Sequence, residues 1–387
     1  MSKKYSIFIT VLFCVFLFGF GAAMLLLPDR KFSEQENRNL AQMPTLDFGE
    51  LGPLGKSGNF FNGKFMEDFE EYVVDQFPLR DEWIQLKALG ERALGKQENN
   101  KVYFGTDNQT LFAHFNRPPE EELAQRVEYV NQFAAKTDIP VYFALIPDKS
   151  YVWAGLLPAN APNVDDGSTL ADAEALCSDG VTWIDLKEAI RGDDAFYRTD
   201  HHWSTFGAYQ GYQALAAGMN NGAFSNLDDY EGFEPVLVSD SFYGTTWSSA
   251  GAGWVEPDDI YTMVDEGAVL VTRYPEGSPI PGSLYDRTKL EQKDKYSMFL
   301  GGNQPLCILR NPLVEGGKKL LVIRDSYSDC LAPFLALDYQ EIHLIDLRYY
   351  KVSPSVYIRE NGIDQALVLY SAANFASDIN LFLLGIG

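Results

Sequence analysis

The chain has 387 residues, 46% hydrophobic and 22% charged, with 31 Lys+Arg against 54 Asp+Glu and a formal net charge of -23. That length leaves room for one large α/β domain and further segments. So acidic a surface repels nucleic acid and anionic lipid, which excludes nucleic-acid binding.

From Tyr5 to Leu27 no residue is charged: YSIFITVLFCVFLFGFGAAMLLL. At about 1.5 Å per residue the stretch is long enough to cross a hydrocarbon core of about 30 Å. Lys3 and Lys4 precede it, and Pro28 and Asp29 follow. Positive flanks stay in the cytoplasm, so the rest of the chain is expected outside, as a single-pass membrane protein with an extracellular domain. A cleaved signal peptide is the competing reading, but its apolar region usually spans only about 7–15 residues. Residues 1–28 are therefore read as a signal anchor. Cys14 lies within it. Cys177, Cys307 and Cys330 remain outside, an odd number with no C-x-x-C pair, so neither a disulfide framework nor a zinc ribbon is implied.

Residues 29–57 are polar and rich in Gly and Pro, the composition of an irregular stalk. Over 58–100, Phe65, Phe69, Tyr72, Val73 and Phe77 recur at three- and four-residue spacing and predict an amphipathic helix. Pro78 ends it and a second helix starts near Arg80. The remainder, 101–387, alternates. VYFG and TLFAHF predict a hairpin, and Pro119 to Lys136 a helix with an acidic start. The apolar runs Ile139–Ile146, Val181–Ile184, Lys319–Ile323, Glu341–Ile345 and Ala366–Tyr370 read as buried strands, with helices after Ser204, Ser326 and Ser353. This order predicts an α/β fold with a parallel sheet covered by helices on both faces. Between about 220 and 305, Gly, Ser, Tyr and Trp dominate, as in a β-rich insertion.

Two motifs carry chemistry. Only four histidines exist, and two are adjacent in Thr199-Asp200-His201-His202-Trp203. In an extended segment residues i and i+2 share a face, which brings Asp200 beside His202. A carboxylate there fixes the imidazole tautomer and leaves Nε2 as a base. The same residues also read as a partial metal site, or as a loop opening a helix with Ser204 as its N-cap. The second motif is KKLLVIRDSYSD, Lys318 to Asp329: a strand running through Arg324 into Asp325-Ser326-Tyr327 and a helix. A serine there stands at the carboxyl edge of the sheet, where helix-start N–H groups can hold an oxyanion. Its plainer reading is a helix cap. Taken together, the motifs supply the parts of a Ser-His-Asp hydrolase or acyltransferase.

TDHHW, with DSY after a strand and DQFPLRDEW upstream, resembles the DHHW family. It is also similar to the alginate O-acetyltransferase-like branch of the SGNH hydrolases. The resemblance runs from about Phe60 to the C-terminus and implies a three-layer SGNH-like (flavodoxin-like) α/β sheet. It implies Asp200 as orienting acid, His202 as base and Ser326 as nucleophile, with no metal and no cofactor. The usual glycine before Asp/Thr-Ser is Arg324 here. Asn374, in YSAANF, is a candidate oxyanion donor. Arg348 and Tyr349, in DLRYY, are candidate substrate contacts, as is Trp203, with Trp247, Trp254 and Tyr243 as further sugar-stacking candidates. The family association implies O-acetylation of an extracellular polysaccharide, with a separate membrane acyl-group exporter. Carbohydrate acetylesterase, an inactive glycan-binding surface protein and a metal-dependent hydrolase are the competing readings.

Overall fold

A computed structural model of the chain describes residues 3–49, 58–161, 166–219 and 233–386. Contacts divide it into two compact units, Met1–Lys96 with Gly251–Gly253, and Gln97–Ala250 with Trp254–Gly387.

In the first unit, α1 (Lys3–Leu26) is a 24-residue helix long and apolar enough to cross a membrane, with no buried side chain. The amphipathic pair follows as α2 (Lys64–Asp75) and α3 (Arg80–Ala93), broken where Pro78 removes a donor. Part of the expected stalk is ordered instead. Phe32–Ser33 pairs antiparallel with Arg38–Asn39, and Arg38 donates to the buried carboxylate of Asp75 at 2.8 Å. The Asp75 partner lies 37 residues away, so composition gave no sign of it. Residues 50–57 of the stalk lie outside the described residues.

The second unit is built on an eight-stranded sheet. Its strands are β1 (Val141–Ile146), β2 (Val181–Trp183), β3 (Leu270–Arg273), β4 (Ile280–Gly282), β5 (Leu306–Arg310), β6 (Lys319–Arg324), β7 (Glu341–Ile345) and β8 (Gln365–Ser371). Their order is β4-β3-β5-β7-β6-β8-β1-β2. β7, β6, β8, β1 and β2 are mutually parallel; β5, β3 and β4 extend the β7 edge antiparallel.

Alternation along the central strands divides the core. Tyr142, Ala144, Leu320 and Val322 face one cluster; Val141, Phe143, Leu321 and Ile323 face the other. The first is covered by α6 (Thr205–Gly218) and α7 (Tyr327–Leu335), through Tyr212, Leu215, Leu331 and Phe334. The second is covered by α4 (Glu120–Ala135) and α8 (Pro354–Asn361), with α5 (Asp166–Ala175) and α9 (Ala372–Ser377) beside them. The expected three layers are therefore present.

The stretch expected as a β-rich insertion contributes strands. Leu270–Arg273 and Ile280–Gly282 join the main sheet as β3 and β4, while Val236–Phe242 pairs with Asp258–Thr262 in a small sheet of its own. The apolar strand β5 supplies the edge that recruits β3, an antiparallel pairing that run length alone does not reveal. Residues 220–232 of that stretch lie outside the described residues.

Candidate active site

Parallel strands deliver their following loops to one edge, so the turns after β1, β6, β7 and β8 converge. β6 passes into α7 through Asp325 and Ser326. Ser326 occupies the N-cap position but makes no capping hydrogen bond with its side chain. Asp325 caps the turn instead, its Oδ1 accepting from Tyr327 N at 3.1 Å. Its Oδ2 accepts from Ser371 N, Ser371 Oγ and Asn374 Nδ2, each at 2.8 Å. Asp325 thus ties the ends of β6 and β8 together and leaves the Ser326 hydroxyl uncommitted to the helix.

That hydroxyl meets His202. Ser326 Oγ lies 2.7 Å from His202 Nε2, and His202 Nδ1 lies 2.5 Å from Asp200 Oδ1. All three residues are buried, with Ser326 8% exposed. Asp200 accepts four hydrogen bonds: on Oδ1 from His202 Nδ1 and from His202 N at 3.0 Å, on Oδ2 from Thr245 N at 2.7 Å and Thr245 Oγ1 at 2.9 Å. Burial alone would raise its pKa, but the two histidines and these donors outweigh burial and hold it well below the usual carboxylate range. An ionised Asp200 only accepts, so His202 Nδ1 carries the proton and Nε2 offers its lone pair to Ser326.

His201 takes the other direction. Thr245 donates its one hydroxyl proton to Asp200, so it accepts from His201 Nδ1, 2.7 Å away. Burial and the neighbouring His202 push His201 below the ordinary histidine value. Ligand atoms of Asp200, His201 and His202 lie within 4.8 Å of one another, the geometry of the metal alternative.

Three side chains from beyond residue 240 complete the surroundings: Thr245, Tyr296 and Asp258. The Tyr296 ring stacks on His202 at 3.8 Å and 10°, and its hydroxyl donates to Ser326 O at 3.1 Å. The Asp258 carboxylate accepts from Arg198 N at 3.0 Å, Thr199 N at 2.7 Å and Thr199 Oγ1 at 2.5 Å. None carries a local motif, and sequence reasoning missed all three. Gly244 is required by close approach: a methyl group there would overlap Asp200 Cβ and Oδ2. Gly244→Ala is therefore expected to push Asp200 off His202 and lower kcat on an acetyl ester on the order of 10²-fold, while the cooperative thermal transition remains.

The other expected site residues have partners of their own. Trp203 is 0% exposed and donates Nε1 to Tyr327 O at 2.9 Å. Its ring packs on Gly211 of α6, so the expected substrate contact is corrected: Trp203 is core. Trp247 is also buried. Arg348 is held by both Asp346 oxygens at 2.6–3.2 Å and lies 5.5 Å from the Tyr349 ring centroid; Tyr349 is exposed. Asn374 Nδ2 donates one of its two hydrogens to Asp325 Oδ2 at 2.8 Å. Arg324 is fully buried and pairs with Asp329 at 2.9 Å. Among the described residues the four cysteines are unpaired.

The description "DHHW protein" matches residues 179–345, a region that contains Asp200, His202 and Ser326. The description "SGNH hydrolase-like domain, acetyltransferase AlgX" matches residues 104–253, which hold the DHHW motif but not the serine. A DHHW family protein from Eubacterium siraeum superposes with a TM-score of 0.62 at 18% identity, covering 74% of this chain and 95% of that one. Bacillus cereus PatB1, solved with a sulfonyl adduct, superposes at 0.61 with 20% identity, covering 73% and 98%. At such identity these two show the fold. No curated protein matches the chain. The chain is thus of SGNH-like α/β fold.

Proposed function

We propose that the protein is a membrane-anchored extracellular enzyme that O-acetylates a cell-surface or extracellular polysaccharide, with Ser326 as nucleophile, His202 as base and Asp200 as orienting acid. The observation that carries this reading is the unbroken chain Asp200 Oδ1, His202 Nδ1, His202 Nε2, Ser326 Oγ at 2.5 and 2.7 Å. His202 takes the Ser326 proton as Oγ attacks the acetyl carbonyl. The Ser326 N–H at the start of α7 faces the developing oxyanion. The tetrahedral intermediate expels the donor alcohol, which leaves with the proton from His202, and an acetyl-Ser326 ester remains. A sugar hydroxyl then gives His202 its proton and attacks that ester, which returns Ser326 and releases the O-acetyl sugar. With water as acceptor the same steps make an acetylesterase.

Export rests on α1, with Lys3 and Lys4 kept in the cytoplasm. The charge of -23 favours an uncharged acceptor polymer over a polyanion. An acetyl donor on the outer face of a membrane implies an acyl-group exporter as partner. A glycan-binding protein without turnover is the second reading, favoured by Arg324 where the resemblance implies glycine.

The test gives the full chain, in detergent, a chromogenic acetyl ester with and without neutral glycans. Turnover with acetyl mass added to the glycan is the expected result. Acetate release unaffected by any glycan leaves the esterase. Glycan binding without turnover overturns the enzyme reading.

A further inference from the structure

One buried cation is unused by these steps. Lys149 follows β1 in the short helix Lys149–Val152, and its side chain is buried. Its Nζ donates to three carbonyls of one segment: Tyr197 O at 3.1 Å, Arg198 O at 3.1 Å and Asp200 O at 2.6 Å. An ammonium has three hydrogens, and all three are matched. The N–H groups of Arg198 and Thr199, in the same segment, go to Asp258. The backbone leading into the DHHW motif is therefore held by a cation on its carbonyls and an anion on its amides.

We propose that Lys149 is a positioning residue for the Asp200–His202 pair: its protonated tripod fixes residues 197–200 so that the Asp200 carboxylate meets His202 Nδ1. The inference rests on the catalytic reading above for its kinetic arm only. A segment held by three cationic hydrogen bonds relaxes if one is lost, and displacement of a reacting group by about 1 Å costs on the order of 10²-fold in rate.

The charges around Lys149 include Asp148 beside it, Asp107 near the hairpin, Asp200 and His201 in the motif and Asp258 in the small sheet, with the Phe112 ring 5.8 Å away. Burial lowers its pKa from 10.5 to about 8 against the pull of those four carboxylates. Above that pH a neutral amine has two hydrogens for three carbonyls. An unfolded lysine keeps its proton to 10.5, so between about 8 and 10.5 the unfolded state binds more protons than the native one. Stability from this group then rises with pH, and deprotonation reduces activity without melting the protein.

The experiment compares the full-length wild type with Lys149→Met and Lys149→Arg. It follows kcat and KM on an acetyl ester from pH 6 to 10, thermal melting, and the far-downfield proton resonance of the Asp200–His202 hydrogen bond, assigned by its loss in Asp200→Asn. The expected result is a kcat on the order of 10²-fold lower in Lys149→Met at unchanged KM, with the resonance lost. In Lys149→Arg the resonance is kept and the alkaline fall in kcat disappears, because arginine does not titrate there. Wild-type kcat and resonance in Lys149→Met, or one shared alkaline profile for wild type and Lys149→Arg, overturns the proposal. If Lys149→Met does not fold, the alkaline comparison of wild type with Lys149→Arg decides. If the wild type lacks turnover, the resonance still reads the brace, so failure of the enzyme reading and failure of this one separate.

Discussion

Ser326→Ala and His202→Ala are each expected to reduce turnover of an acetyl ester by about 10⁴-fold or more, to the same residual level as the double variant. The equality is the sharper half of the expectation. His202 Nε2 lies 2.7 Å from Ser326 Oγ and has no role in the first step except toward that proton, so removing either partner removes one function. Asp200→Asn keeps the shape but replaces an acceptor with an amide that can donate, which turns the imidazole to the wrong tautomer; a loss of about 10⁴-fold follows. His201 lies outside the chain of contacts, its Nδ1 bound to Thr245, and His201→Ala is expected to retain most of the turnover. A metal mechanism reverses this pattern: His201→Ala and exhaustive chelation would both abolish activity, while Ser326→Ala would spare it. Kinetics of the four variants, each with and without chelator, separate the two mechanisms.

The sequence was most readable where chemistry is local. Asp200 and His202 sit two residues apart, and Ser326 follows an apolar strand directly, so both motifs announce themselves by spacing. Strand periodicity likewise exposed β1, β6, β7 and β8, because a strand buried on both faces is apolar throughout. What stayed hidden depends on distance along the chain. Thr245 is 45 residues from the Asp200 it holds, and Asp258 is 59 from Thr199. Tyr296 is an ordinary tyrosine until its ring lies flat on His202. The stretch read as an insertion hid its role for the same reason: its Gly- and aromatic-rich composition describes irregular backbone, while its contribution is to wall the site. Lys149 did leave a trace, a lone cation just past a strand of six buried residues. Trp203 misled because an aromatic beside a reactive histidine has the composition of a sugar platform, and only burial shows that its face is covered.

Asp329→Ala is expected to destabilise the sheet-bearing unit by about 3–5 kcal/mol, the cost of leaving a buried charge without its partner. Arg324 stands directly before Asp325-Ser326, where the family resemblance implies glycine, and its alternation along β6 turns it into the same layer as Leu320 and Val322. There it is 0% exposed, with Asp329 at 2.9 Å, Asn303 Oδ1 at 3.4 Å and Asp325 O at 3.3 Å, while Nε and Nη2 meet no protein acceptor. Burial pushes Asp329 up to about 6 even with the guanidinium against it, so desolvation outweighs pairing. A pair of this kind holds the two charges in register more than it stabilises the fold. The double replacement Arg324→Met with Asp329→Leu is accordingly expected to be neutral or stabilising by about 1–4 kcal/mol, although Asp329→Ala alone is severe. Denaturant unfolding of wild type, single and double variants measures this directly. Retained turnover in a stable double variant would assign the pair to architecture; loss of turnover with stability intact would assign Arg324 a part in shaping the turn that presents Ser326.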